Sequence, residues 1–315
     1  MGRDHALTAD SLQVRAQRGT LASLIVAMRP YQWPKNAIVF ASLAFSAGHA
    51  WTPGDVSSWW PLLWRSGALF VLWSLIASST YLINDVLDRS ADMYHPRKRY
   101  RPIASGAVST RLARVVAVAL LATALPGAFL LDPGAGTVLF GYAAVMIAYS
   151  FELKKVAILD VLILSGGVAA RAVGGALVID VAISPWLYVC TSFGAFFFAC
   201  SKRWAEYRQL GPEAIQHRPA LAHYSGEILS QLLIISASTA LLGYALYTIE
   251  SAYVPANGSM AWTIPFVAFG LFRYLLLLNG PRRTDAPDQI LFTDPQILIA
   301  VAGFLVTAMT VLLLN

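Results

Sequence analysis

Asn84, Asp88 and Asp92 recur at four-residue intervals in Asn84-Asp85-Val86-Leu87-Asp88-Arg89-Ser90-Ala91-Asp92, and a basic run from His95 to Arg101 follows at once. On a helix that spacing stacks the three oxygen-bearing side chains on one face. Such a face suits magnesium, which takes oxygen ligands, keeps several waters and shares its shell with substrate phosphates. The cations that follow, Arg97, Lys98, Arg99 and Arg101, are of the kind that clamps phosphate oxygens through charge-assisted hydrogen bonds. Carboxylates beside cations therefore point to a phosphorylated or diphosphorylated donor. Asp85 lies inside this block, and so does His95, which is placed to bond a phosphate oxygen but is equally satisfied by solvent.

Two further polar groups interrupt apolar sequence. Tyr149-Ser150-Phe151-Glu152-Leu153-Lys154-Lys155 is followed by Asp160, and Arg171 stands three helical turns beyond on the same face. A charge that far inside an apolar helix is costly and faces a polar cavity or a partner, so Arg171 is expected to line the site. Gly166, Ala170 and Gly174 repeat as small residues do where helices pack closely. The third group is Ser201-Lys202-Arg203-Trp204-Ala205-Glu206-Tyr207-Arg208. Lys202 and Glu206 are one turn apart and would form an ordinary ion pair worth a few tenths of a kcal/mol, yet Lys202 and Arg203 also stand where a polar cavity would open. Cys190 and Cys200 lack metal-ligand spacing and read as core filler.

The setting for these groups is a membrane. Of 315 residues, 57% are hydrophobic and 13% charged, which defines an all-α polytopic membrane protein. Apolar runs of about 20 residues or somewhat fewer lie near 37–50, 61–83, 111–131, 136–151, 159–179, 185–200, 227–249, 261–279 and 295–314. Nine spans are expected, preceded by an apolar segment from Leu21 to Met28 and a polar tail over 1–20 that has no apolar periodicity. The division is thus a flexible tail, 1–20, and one transmembrane domain, 21–315. No cleavable signal is expected.

Lys and Arg fall in alternate loops. They crowd the N-terminal segment, the stretch 89–114, and the loops after the fourth, sixth and eighth spans, whereas 51–60, 132–135, 180–184 and 250–260 hold none. The positive-inside rule then places the N-terminus and the Asp-rich loop in the cytoplasm of a plasma (inner) membrane, with Asn315 outside. The net charge of +6 follows partly from this orientation. Nucleic acid is an unexpected partner, since no stacking platform or continuous basic stripe is present.

The chain resembles the UbiA superfamily of intramembrane prenyltransferases and, within it, the phosphoribosyltransferase branch. The residues that carry the resemblance are Arg29-Pro30-Tyr31-Gln32-Trp33-Pro34-Lys35-Asn36, the block from Asn84 to Gly106, Tyr149 to Lys154, Asp160 with Arg171, Lys202 to Glu206, and the later Arg273-Tyr274, Pro287-Asp288 and Asp294. The superfamily's quinone-type members carry a second Asp-rich motif after the sixth span, where this chain has Lys202, Arg203 and Glu206. That departure makes a second metal less expected and direct phosphate binding more so.

The resemblance implies a bundle with a cytoplasm-facing polar cavity that uses Mg2+ to move 5-phosphoribose from phosphoribosyl pyrophosphate to a polyprenyl (decaprenyl) phosphate, releasing pyrophosphate, for cell-wall arabinan precursors. Asn84, Asp88 and Asp92 would hold the metal. Lys98, Arg99, Arg101, Lys154, Arg171, Lys202 and Arg203 would clamp donor phosphates, and Arg29, Gln32 and Lys35 the acceptor phosphate. Asp160 would stabilise positive charge on the ribose, with Asp85, His95, Tyr149 and Glu206 as further candidates. Two other readings stay open: a prenyltransferase joining an isoprenyl diphosphate to an aromatic acceptor, and a non-catalytic transporter. Assembly as a homo-oligomer is allowed and not required.

Overall fold

The computed structural model describes residues 19–95, 98–210, 219–280 and 287–314. Most of the predicted tail, Arg97, and the terminal Asn315 lie outside the described residues. The described chain is helical, with a single isolated bridge between Ala47 and Trp51. We number the α-helices α1 (Thr20–Met28), α2 (Ala41–Phe45), α3 (Val56–Leu87), α4 (Arg89–Tyr94), α5 (Thr110–Leu131), α6 (Pro133–Phe151), α7 (Leu159–Val178), α8 (Pro185–Leu210), α9 (Gly226–Glu250), α10 (Ile264–Asn279), α11 (Pro287–Thr293) and α12 (Pro295–Leu314).

Seven helical stretches are long and apolar enough to cross a bilayer: α3, α5, α6, α7, α9, α10 with the short turn before it, and α12. The protein is a multi-pass membrane protein. The two remaining predicted spans are not among these seven. Residues 185–200 are helical but belong to a 26-residue α8 that continues through Lys202, Arg203 and Glu206, so its polar third dilutes its apolar part. Residues 37–50 are not one α-helix. The segment Pro30–Phe40 is a 3-10 helix with Pro34 inside it, where proline removes a backbone donor. α2 adds only five residues.

Polar caps define the helix ends. Asp55, Ser109, Asp132 and Ser225 each accept a hydrogen bond from a backbone N–H in the first turn of α3, α5, α6 and α9 respectively, which satisfies donors that a helix start leaves open. Pro133 begins α6, a position where its missing N–H costs nothing.

The long helices pack on their sequence neighbours, α3 on α5, α5 on α6, and so on to α9, with α10 against α12. Phe45 packs with Tyr247 and Val311, which brings α2 to the last helix. The Pro30–Phe40 segment lies between α3 and α7. It comes closest to α7 where Gly175 presents no side chain. A Cβ at Gly175 would overlap the Val39 carbonyl, and one at Gly174 would come within 2.9 Å of the Trp73 ring. Gly174 thus fits the packing role expected of it, whereas Gly166 has open space in front of it.

Candidate active site

One end of the bundle gathers the termini of α3, α6, α7 and α8, and the charged groups meet there. Backbone hydrogen bonds continue through the α3–α4 junction, Asp88 N–H to Asn84 at 2.9 Å and Asp92 N–H to Asp88 at 2.8 Å. The backbone therefore keeps Asn84, Asp88 and Asp92 at helical spacing, but their side chains divide.

Asn84 and Asp88 form the first group. Asn84 Nδ2 donates to Asp88 Oδ2 at 3.0 Å. Lys154, in the short 3-10 turn between α6 and α7, brings its ammonium 2.5 Å from Asp88 Oδ1 and 3.5 Å from Asn84 Oδ1. Asp92 belongs to the second group. Its Oδ2 accepts from Arg101 at 2.7 Å, and the same guanidinium nitrogen reaches Asp85 Oδ1 at 3.1 Å. Arg29 donates to that Asp85 oxygen at 2.6 Å and lies over the Tyr81 ring. Arg29 adopts a left-handed backbone conformation, φ 56°, which ends α1 and turns the chain into the Pro30–Phe40 segment. Burial raises the Asp92 carboxyl above its ordinary value, against the lowering influence of Arg101 and Lys98.

Asp160 anchors a third group and does not open onto a cavity. It is fully enclosed; Arg203 Nε donates to Oδ2 at 2.7 Å and the Tyr224 hydroxyl to Oδ1 at 2.8 Å. Arg203, itself buried, turns its other side to Glu206 at 3.0 Å. Both oxygens of Asp160, expected beside a reacting sugar, thus accept hydrogen bonds inside the fold. Tyr224 also accepts the Ile158 N–H at 2.5 Å, fixing the non-glycine residue that stands at φ 66° before α7. Burial, then the neighbouring carboxylate, lifts the Tyr224 phenol above its ordinary value, so it stays a donor.

A cavity of about 480 Å³ lies deeper, between the Pro30–Phe40 segment, α3, α6, α7 and α8. Gln32, Lys35, Arg171 and Lys202 all line it. The structure thus brings together residues that the sequence assigned to separate substrates, and it leaves Arg29 outside, with Asp85. Arg171 donates to Asn36 Oδ1 at 2.7 Å, to the Gly167 carbonyl and to the Tyr142 hydroxyl at 3.0 Å, and its plane lies over the Trp73 and Tyr142 rings. Asn36 is held in turn by Ser74 at 2.9 Å.

The remaining candidates sit around the rim. His95 caps α4 and accepts the Lys98 backbone N–H at Nδ1, 3.2 Å, while Arg99 is exposed and bonded to Tyr100. Tyr149 is half-buried near the end of α6. Sequence reasoning missed Asn36, Tyr81, Tyr142 and Tyr224. Asn36 alone left a trace, as the last residue of the motif that begins at Arg29.

The donor set at Asn84 and Asp88 is all oxygen and already takes a lysine ammonium between its two side chains, which is the chemistry a hard divalent cation requires. No group of three or more His, Cys, Asp or Glu suited to a metal occurs among the described residues. A cation at this end would complete its shell with phosphate and water.

Residues 39–294 match the UbiA prenyltransferase family, and the chain belongs to that family. It is 32% identical over 287 residues to the decaprenyl-phosphate phosphoribosyltransferase of Mycobacterium tuberculosis, covering 91% of this chain and 93% of that one. The Corynebacterium glutamicum decaprenyl-phosphate phosphoribosyltransferase is 30% identical over 278 residues, covering 86% and 81%. Among solved structures, a UbiA homolog from Archaeoglobus fulgidus bound to GPP and Mg2+ superposes with a TM-score of 0.67 at 18% identity, over 92% of this chain and 99% of that one. That likeness establishes the fold.

Proposed function

We propose that this protein transfers 5-phosphoribose from phosphoribosyl pyrophosphate to a polyprenyl phosphate, in the manner its phosphoribosyltransferase relatives are named for. The observation that carries this reading is the charge around the Asn84–Asp88 pair. Lys154 and Arg101 face the Asp-rich segment with Lys98 and Arg99 beside them, and the stretch from Lys202 to Glu206 holds no second Asp-rich motif of the quinone type. A donor with a pyrophosphate and a separate 5-phosphate, and no apolar tail, uses that cationic surplus.

Asn84 and Asp88 would hold a divalent cation, magnesium in our reading, which supplies charge neutralisation of the pyrophosphate when bound, while Asp92, one turn on, orients Arg101 beside them. The residues of the chain do the rest. Lys154 and Arg101 hold the leaving group as the bond from ribose C1 to the pyrophosphate oxygen breaks and its electron pair departs with pyrophosphate. Lys98 adds a rim cation. An oxygen of the acceptor phosphate forms the new bond to C1 from the opposite face; a phosphate monoester, with a second pKa near ~6, is largely ionised and requires little general-base help. Asp160 we assign to positioning: with Tyr224 it fixes Arg203 and the start of α7. The basic end faces the cytoplasm by its excess of Lys and Arg, and the product would feed cell-wall arabinan synthesis.

Pyrophosphate release by the purified protein tests the reading. It should require phosphoribosyl pyrophosphate, Mg2+ and a polyprenyl phosphate together. Release from an isoprenyl diphosphate with an aromatic acceptor, and none from phosphoribosyl pyrophosphate, would refute it.

A further inference from the structure

Arg171 is a buried cation whose counter-charge the described residues do not supply. It is 8% exposed and lies eleven residues beyond Asp160 on α7, about 16 Å along the helix axis. Every acceptor it meets is neutral: an asparagine amide, a backbone carbonyl and a tyrosine hydroxyl. Among the described residues no carboxylate pairs with it. A guanidinium carries five N–H groups, so two remain without an acceptor in the described protein. An unpaired charge inside a membrane protein is costly and marks a ligand or ion path.

The cavity that Arg171 lines indicates what the missing anion is. Lys35 and Lys202 add positive charge to the same wall, and Gln32 adds an amide. Most of the remaining lining is apolar, including Ile38, Met146, Leu164, Val168 and Phe198. A ligand for such a space has a small anionic head and a hydrocarbon body. A phosphate matches the head, because two free N–H groups on a planar guanidinium suit its oxygens.

We infer that this cavity seats the phosphate of the polyprenyl phosphate acceptor, with Arg171 as its buried counter-cation and the first apolar units of its tail against the surrounding walls. The inference rests on the acceptor named under the proposed function and moves Arg171 and Lys202 from donor to acceptor binding. The donor, which has no apolar portion, stays at the Asn84, Asp88 and Lys154 end. Gly167 makes the arrangement possible, since a Cβ there would press on Tyr142 at 3.1 Å and on the Arg171 guanidinium at 3.3 Å.

Thermal stabilisation of the detergent-purified protein, read without turnover, provides the test. Three additions are compared: a polyprenyl monophosphate, the matching neutral polyprenol, and phosphoribosyl pyrophosphate with Mg2+. Wild type should be stabilised by the lipid phosphate and not by the polyprenol. In Arg171→Gln the apparent affinity for the lipid phosphate should fall roughly tenfold or more, while the effect of phosphoribosyl pyrophosphate persists. Loss of the phosphoribosyl pyrophosphate response with the lipid response intact would overturn the assignment, as would equal stabilisation by polyprenol or an unchanged Arg171→Gln. Should that variant not fold, Lys35→Gln takes its place with the same expected pattern. A wild type that ignores phosphoribosyl pyrophosphate speaks against the reaction, while the contrast between lipid phosphate and polyprenol still decides the seat of the phosphate.

Discussion

The Lys154 ammonium lies 2.5 Å from Asp88 Oδ1, joining two residues 66 positions apart at one end of the bundle. It places a cation against the carboxylate proposed to share the donor's metal. Lys154 is a quarter exposed, so it can move toward an incoming phosphate at small cost. Lys154→Gln should lower kcat/KM for phosphoribosyl pyrophosphate by on the order of 10²-fold and leave the thermal midpoint unchanged. Full activity in this variant would remove Lys154 from donor binding.

Asp85 joins two arginines from distant segments, Arg29 and Arg101, through one oxygen. Removing one partner of a buried ion pair leaves charge uncompensated. Asp85→Ala should therefore destabilise the protein by about 3 kcal/mol, the low end for such a loss because both arginines keep some exposure. Asn at the same position retains an acceptor and should cost less. Chemical unfolding of the three forms in detergent measures the order, and equal stability of Ala and wild type would contradict the joint.

Asp92 makes stability depend on pH. Burial raises its carboxyl above 3.8 in the folded protein, so the folded state binds that proton more tightly than the unfolded one. Its contribution is fully present below pH 3.8 and is lost as the pH rises through the folded value. Asp92→Asn removes this component. Melting curves followed upward from pH 3.8 should show a shallower decline for the variant; an unchanged slope would mean Asp92 ionises normally.

Two glycines of one helix should respond oppositely to the same change. Gly175→Ala drives a methyl into the Val39 backbone and should reduce the yield of folded protein sharply, by overpacking worth about 3 kcal/mol or more. Gly166→Ala meets nothing within 4 Å and should be tolerated. Monodispersity after purification compares them.

The apolar helices were legible because composition alone dictates them. Thr110–Leu131 and Pro295–Leu314 lie within a residue of their expected positions, since a run of apolar side chains has few other ways to satisfy its backbone in lipid. Residues 37–50 misled because hydropathy does not report helix type, and here a 3-10 segment with Pro34 inside it runs into them. At the site, the spacing of Asn84 and Asp88 was readable because it is local. The partners were not. Lys154 with Asp88, Arg29 with Asp85, and Tyr224 with Asp160 are each more than fifty positions apart, and nothing in the local pattern links them. Asp160 is the clearest case: a carboxylate opening a span suggested chemistry, and the sequence held no sign of its two buried hydrogen bonds to Arg203 and Tyr224.

Transfer of label from phosphoribosyl pyrophosphate into the organic phase by the detergent-purified protein, with a polyprenyl phosphate and Mg2+, measures the proposed reaction itself. Labelled lipid is expected, and it should disappear with EDTA and in Asp88→Ala, whose membrane fold should remain intact. Labelled lipid made equally well by Asp88→Ala would contradict the metal assignment. No labelled lipid, alongside prenylation of an aromatic acid from an isoprenyl diphosphate, would contradict the reaction itself.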